Sequence, residues 1–116
     1  MRYALLIYYD EDTPVSNREK ERREKQCTAV LDGLRARSLL ADTQRLRPAR
    51  AARTVRCWDG GDITITGGPA IQTTEQLTGW AIAECEDLDS ALQLATTIPA
   101  AWHGSIEVRP AGATPI

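Results

Sequence analysis

The pattern of apolar and polar positions predicts a strand and then a helix in the first third of the chain. Residues 2–10 form an almost continuous apolar run, which is typical of a strand covered on both faces. Ser16 and Glu19 then match a capping box, the pair of side chains that begins many helices. Apolar residues follow at helical spacing only in the later turns, at Cys27, Val30, Leu31 and Leu34. We therefore expect the charged first turns, residues 18–25, to project into solvent.

Three more strands are predicted in the middle of the chain. Residues 39–46 can form the second strand, and residues 47–53 read as a loop. Residues 54–58 and 63–66 flank the sequence Asp-Gly-Gly-Asp at 59–62, which is a strong signal for a tight hairpin. This part of the chain therefore predicts one strand followed by a separate hairpin.

The last third predicts a strand, a helix and a final strand. Residues 80–85 are apolar enough for a strand, and Asp87 is a suitable N-cap for the helix that follows. One helix face is expected to carry Leu88, Ala91, Leu92 and Ala95. Pro99 ends this helix, and residues 105–109 alternate like a half-buried strand.

This order of elements predicts an α+β fold, the ferredoxin-like βαββαβ plan with an added hairpin. We expect one domain over residues 1–110 and a flexible C-terminal tail over residues 111–116. Both helices can cover only one face of the sheet, whereas the first strand is apolar on both faces. The second face therefore needs a partner sheet.

Composition narrows the class of protein. The 116 residues are 42% hydrophobic and 26% charged, which is ordinary for a globular domain. No apolar run approaches the roughly 20 residues of a membrane helix, and the N-terminus lacks a signal-peptide pattern, so we expect a cytoplasmic protein without membrane contact. Cys27, Cys57 and Cys85 lie far apart and form no metal-binding spacing with His103. We expect reduced thiols and no metal.

The charge is unevenly distributed. Residues 35–56 contain seven arginines and one acidic residue, Asp42. Such a band can attract nucleic acid or an anionic small molecule, and it can equally be an ordinary solvated surface. Aromatic residues are not interleaved with the arginines, so nucleic acid is an unlikely partner.

The segment between the hairpin and the fifth strand, residues 66–80, has the composition of a structured connection. Gly67 and Gly68 can adopt positive φ, and Pro69 restricts the residue before it. The alternative is an ordinary surface turn.

Together these segments resemble the YCII-related family, in particular its branch with an Asp-Gly-Pro-Phe motif. The resemblance covers residues 2–110 and is most specific at residues 75–77, 87–89 and 104–110. This chain has Gly67-Gly68-Pro69-Ala70 at the motif, so the carboxylate and the aromatic ring are missing. The resemblance implies a homodimer whose sheets pair back to back as a dimeric α+β barrel. Members of this branch are often encoded beside extracytoplasmic-function sigma factors.

The predicted topology brings candidate site residues to one rim of the sheet. The first and last strands are antiparallel neighbours in this fold, so the end of one lies beside the start of the other. The loop before the fifth strand reaches the same rim. We expect this rim to gather catalytic His103 and Asp10 with the substrate-binding residues Tyr8, Gly67, Gly68, Pro69, Gln72, Glu75, Trp80 and Trp102.

His103 and Asp10 could act as a general acid/base pair, because a carboxylate fixes the tautomer of a neighbouring imidazole. Alternatively, His103 is a strand-edge histidine bonded to backbone. Trp80 and Trp102 could also be core or interface residues, and Glu75 could belong to a local turn.

Two functions follow from these expectations. The first is a cofactor-free dimeric enzyme that isomerises, eliminates from or cyclises a small aromatic or polyketide-like molecule of secondary metabolism. The second is a non-catalytic dimer that binds a ligand or a protein partner and is linked to sigma-factor regulation. Loss of the motif carboxylate and aromatic ring favours the second.

Overall fold

The computed structural model describes residues 1–113. The strands are β1 (Arg2–Tyr9), β2 (Leu40–Arg45), β3 (Arg53–Cys57), β4 (Ile63–Gly67), β5 (Gln76–Glu84) and β6 (Ser105–Pro110). The helices are α1 (Asn17–Ala36), α2 (Leu88–Thr96) and α3 (Ala100–His103), and a single 3-10 turn spans Ala49–Ala51.

Four strands form an antiparallel sheet in the order β2-β5-β1-β6. This is the strand order of the ferredoxin-like plan, so the predicted α+β fold is confirmed. β3 and β4 form a separate two-stranded sheet between β2 and β5 in the chain, as the hairpin signal predicted. The chain therefore consists of a sheet with helices and a hairpin appended to it.

The core lies between the helices and one face of the four-stranded sheet. Alternate residues of β1 are buried there, Tyr3, Leu5 and Ile7, while the residues between them are only partly covered. On the sheet side, Leu40 of β2 and Ala81 and Ala83 of β5 belong to the same core. Leu34 of α1 and Ile98 after α2 pack against them. The molecule is only 20 Å across its shortest dimension, which corresponds to one sheet and one layer of helices.

The buried face of α2 differs from the prediction. Ala91 and Ala95 are buried as expected, but Leu88 and Leu92 are each 43% exposed. Small residues let the helix lie close to the sheet, and Ile98, just beyond its end, fills the core instead.

A short third helix, α3, was not predicted. Pro99 is fully buried and stands at the N-cap of α3, so it starts a helix as well as following one. Because α3 ends at His103, this residue lies in a helical turn and not at the edge of the last strand.

Both long helices begin at the predicted caps. Ser16 Oγ accepts a hydrogen bond from the Glu19 amide at 3.1 Å, and Asp87 Oδ1 accepts one from the Ser90 amide at 2.8 Å. The Glu19 carboxylate does not complete the capping box. It accepts hydrogen bonds from Arg22 and Arg23 instead, so the first turn of α1 is stabilised by ion pairs.

The hairpin has an exposed apolar face. Val55 and Ile65 are cross-strand partners, and Ile63 lies two residues from Ile65 on the same face. These three side chains are 60–67% exposed. The hairpin therefore contributes little to the core of its own chain.

None of the helices within residues 1–113 is both long enough and apolar enough to cross a membrane. At the C-terminal end, the Ala111 amide donates a hydrogen bond to the Arg2 carbonyl at 3.0 Å, which attaches the start of the predicted tail to β1. The rest of that prediction, at residues 114–116, lies outside the described residues.

Candidate functional site

A cavity of about 710 Å³ lies between α1 and one end of the four-stranded sheet. Its walls are formed by α1, by the ends of β1 and β2, by the middle of β5, and by residues 99–103 around α3. A volume of this size is in the range of small-molecule sites. The cavity is therefore the candidate functional site.

The face of α1 that enters the core also lines the cavity. Cys27 and Leu31 form its apolar part, and the same face continues toward the helix start through Lys20, Arg23 and Glu24. Lys20 and Glu24 are exposed, as expected for residues 18–25, and Arg23 is partly covered, yet all three also border the cavity. The 3.6-residue period, continued backwards from Cys27, could have identified them.

A β-bulge shapes the cavity floor. The β1–β5 register pairs Ile7 with Gly79 and Tyr8 with Leu77, which leaves Thr78 as an extra residue in β5. Thr78 Oγ1 donates a hydrogen bond to the Ile7 carbonyl at 3.3 Å. Bulges bend a strand locally and are common beside functional sites. Here the bulge brings Ile7, Thr78 and Gly79 into the cavity wall.

Gly104 fixes the position of His103 relative to β1. A Cβ atom at Gly104 would overlap the carbonyl oxygen of Tyr8. Only glycine therefore allows this close approach, which places α3 and the start of β6 against the end of β1. As a result His103 lines the same cavity as Tyr8 and Tyr9.

Three of the predicted site residues line the cavity: Tyr8, Trp80 and His103. His103 is exposed, and its ring forms no hydrogen bond within residues 1–113. The imidazole is therefore available to a bound molecule.

No hydrogen bond or ion pair joins Asp10 and His103 among the described residues, and Asp10 does not line the cavity. Asp10 Oδ1 instead accepts a hydrogen bond from the Asp12 amide at 3.0 Å, as in an Asx turn. The catalytic pair stays a prediction.

Other carboxylates, which sequence reasoning missed, line the cavity instead: Glu11, Glu24 and Asp32. Glu11 Oε1 accepts a hydrogen bond from the Ala49 amide at 3.0 Å, so this carboxylate holds the 3-10 turn against the end of β1. In the sequence, the only indication that Glu11 could belong to the site is that it directly follows the first predicted strand, residues 2–10.

Glu75 lies at the rim but outside the cavity. Its Oε1 atom accepts a hydrogen bond from Ser105 Oγ at 2.6 Å, and Ser105 is the β6 partner of Tyr8. Glu75 therefore lies near the start of the last strand, but it does not line the cavity.

The loop that contains Gly67, Gly68, Pro69 and Gln72 is attached to the hairpin and does not line the cavity. Gly68 has φ of 93°, as expected for a glycine turn, and its amide donates to the Ala52 carbonyl at 2.8 Å. The loop is thus well defined but lies away from the cavity wall.

Trp102 also lies away from the cavity. It is 60% exposed, and its Nε1 donates a hydrogen bond to the Thr96 carbonyl at 3.2 Å. This contact joins α3 to the end of α2.

The arginine-rich segment divides into separate groups. Arg45, Arg47 and Arg50 line the cavity. Arg53 and Arg56 belong to the hairpin and donate hydrogen bonds to backbone carbonyls near its base. The band is therefore not one continuous surface for a long polyanion.

The cavity offers weak nucleophiles and no evident metal cluster. Burial raises the pKa of the Cys27 thiol, so this cysteine is protonated at neutral pH. Among residues 1–113, no three His, Cys, Asp or Glu side chains are grouped as metal ligands would be. The cavity wall thus carries aromatic and charged side chains and one exposed imidazole, that of His103.

The chain was also compared with known proteins. The signature of the YCII-related domain matches residues 1–111. An uncharacterized protein of Rhizobium meliloti (strain 1021) is 37% identical over 114 residues, which is 95% of this chain and 91% of that protein. The matched region includes every element of the fold and every residue of the cavity. The chain therefore belongs to the YCII-related family.

Proposed function

We propose that this protein is a small cofactor-free enzyme that binds a compact organic molecule in the cavity and moves a proton on it through His103. The observation that carries the proposal is the position of His103. Its imidazole has no protein partner within residues 1–113 and lies on the wall of a 710 Å³ cavity beside Tyr8 and Trp80. Isomerisation, elimination and cyclisation can each proceed through such a proton transfer without a bound cofactor.

The aromatic and apolar wall supports an aromatic or polyketide-like substrate. Ile7 and Tyr9 of β1 and Leu31 of α1 line the cavity, so a planar apolar body can be covered on several sides. Tyr9 adds a hydroxyl group, which lies 3.5 Å from Arg23 Nη1.

One observation favours a second candidate, a non-catalytic binding protein. Asp10 is held in a local turn, so His103 has no orienting carboxylate in this structure. A histidine of this kind can recognise a ligand without catalysing a reaction. In that case the dimer would bind a ligand or a protein partner, consistent with a link to sigma-factor regulation.

The assembly that we propose is a homodimer. On the face of the sheet opposite the helices, Ala4, Leu6 and Ile82 are only partly covered. The hairpin adds Val55 and Ile65, which are mostly exposed. Apolar surface of this extent on a small domain is usually covered by another chain. A second copy whose sheet packs back to back would cover it.

Solvent-deuterium incorporation tests the proposed chemistry. Small ketones, lactones and phenols would be incubated with the protein in D₂O, and exchange at acidic C–H positions followed by NMR. A proton-transfer enzyme should catalyse exchange in at least one compound that binds the cavity. His103→Gln should slow that exchange about a hundredfold or more, and Asp10→Asn should slow it less, because the base remains. Binding without exchange would favour the binding protein, and exchange unchanged in His103→Gln would contradict the role of His103.

A further inference from the structure

We infer that the ligand of this cavity carries an oxyanion, a carboxylate or a phosphate, which Arg47 and Arg50 bind. The inference rests on the proposed small-molecule site and specifies the chemical class of its ligand. Both arginines line the cavity on either side of Pro48, at the start of the 3-10 turn. Guanidinium groups bind carboxylate and phosphate oxygens through paired N–H donors.

The acidic residues nearest to this part of the cavity already have partners. Glu24 forms an ion pair with Arg45 at 3.2 Å, and Glu11 accepts the hydrogen bond from the Ala49 amide. Arg23 is likewise paired, with Glu19 at 2.9 Å. Arg45 thus has Glu24 as its partner, and Arg23 shares the Glu19 carboxylate with Arg22, so both guanidinium groups are already held by acidic side chains of the protein.

Arg47 and Arg50 form no ion pair with any acidic side chain of residues 1–113. Lys20, which also lines the cavity, forms none either. The remaining acid of the wall, Asp32, is eight residues beyond Glu24 on α1, a separation of about 12 Å along the helix. The cavity wall therefore carries five basic and three acidic side chains, an excess of positive charge, and Arg47 and Arg50 are the arginines of this wall that no acidic side chain of residues 1–113 pairs with.

The contact between Glu11 and Ala49 fixes these arginines relative to the apolar wall. Glu11 lies two residues beyond Tyr9, which ends β1 and lines the cavity. A ligand with a ring between Tyr9 and Leu31 could therefore extend its anionic group toward Arg47 and Arg50. The predicted ligand is thus an aromatic or similarly compact apolar acid.

Three probes test the inference: benzoate, its neutral isostere benzamide, and the slightly larger phenyl phosphate. Binding would be measured by NMR titration of the ¹⁵N-labelled protein. Wild type should bind benzoate or phenyl phosphate about tenfold or more tightly than benzamide, since a charged hydrogen bond is worth about that factor. The tighter of the two anions identifies the group as carboxylate or phosphate.

The double variant Arg47→Gln, Arg50→Gln should lose that preference and leave benzamide binding unchanged. The matched control is Arg53→Gln, Arg56→Gln, which removes the same charge from the hairpin and should preserve the preference. An equal loss in the control would show a general charge effect and overturn the inference, as would an absence of anion binding. Benzamide binding equal to that of benzoate would also overturn it, while leaving the cavity and the role of His103 intact.

Discussion

Glu19 is the side chain whose ionisation is most strongly tied to folding. Hydrogen bonds from Arg22 and then Arg23 lower the pKa of its carboxyl from 4.5 to about 2. A carboxyl whose pKa is lower in the folded protein stabilises the fold above its unfolded pKa. That contribution is lost as the pH falls from about 4.5 through about 2.

Glu19→Gln should therefore be less stable than wild type at pH 7, and the difference should shrink steadily below pH 4.5. Urea unfolding at several pH values between 7 and 3 measures it. Glu21→Gln is the matched control, because Glu21 is on the same helix and forms no ion pair within residues 1–113. A difference that grows on acidification would contradict this assignment.

At the level of single residues, the sequence identified part of the site. Tyr8, Trp80 and His103 were predictable because the order of strands determines which strand ends are neighbours. Asp10 was expected beside His103 for the same reason, but a neighbouring backbone amide binds its carboxylate. Such short-range competition depends on the local turn conformation, which topology does not specify.

A substitution at Gly104 tests how closely α3 and β6 pack against β1. Its close contact with the Tyr8 carbonyl leaves no room for a methyl group, so Gly104→Ala should force β1 and β6 apart and destabilise the protein by about 3 kcal/mol or more. Chemical denaturation measures the change.

Gly33→Ala is the matched control for that substitution. Gly33 lies inside α1, and a Cβ there would meet no atom within 4 Å. Alanine favours helix over glycine by about 1 kcal/mol, so this variant should be slightly more stable than wild type. If Gly104→Ala were as stable as Gly33→Ala, the close packing of α3 and β6 against β1 would be wrong.

The helices and strands were largely predictable from the sequence, because caps and periodicity are local signals. Ser16 and Asp87 begin the helices as expected, and the hairpin forms around its glycine turn. The short helix α3 was missed because four residues are too few to show a period. The bulge at Thr78 was missed because it depends on pairing between β1 and β5, which are distant in sequence.

The whole molecule is more extended than a compact chain of this length. Its radius of gyration is 16.1 Å, whereas a compact domain of this size has about 13 Å. The exposed hairpin and the half-covered sheet face are consistent with a protein that completes its packing with another copy. The sequence predicted this need from the almost continuous apolar run of β1, which makes both faces of the strand apolar, but it could not predict that the hairpin would also be uncovered.

We expect sedimentation at micromolar concentration to give twice the 12.8 kDa mass of one chain. Ile65→Lys should weaken the dimer, because it places a charge on the exposed apolar face of the hairpin. Thr64→Lys places the same charge on the opposite face and should leave the dimer intact. A folded wild-type monomer would exclude the proposed assembly.

The most direct test of the central claim is to fill the cavity and measure binding. Thr28 lines the cavity from α1, whereas its neighbour Ala29 faces a separate groove, so Thr28→Trp and Ala29→Trp are matched substitutions at exposed positions. A set of small aromatic compounds, neutral and anionic, would be screened by ligand-detected NMR. The account predicts that compounds bound by wild type also bind Ala29→Trp but not Thr28→Trp. Equal binding to both variants would show that the cavity between α1 and the sheet is not the ligand site.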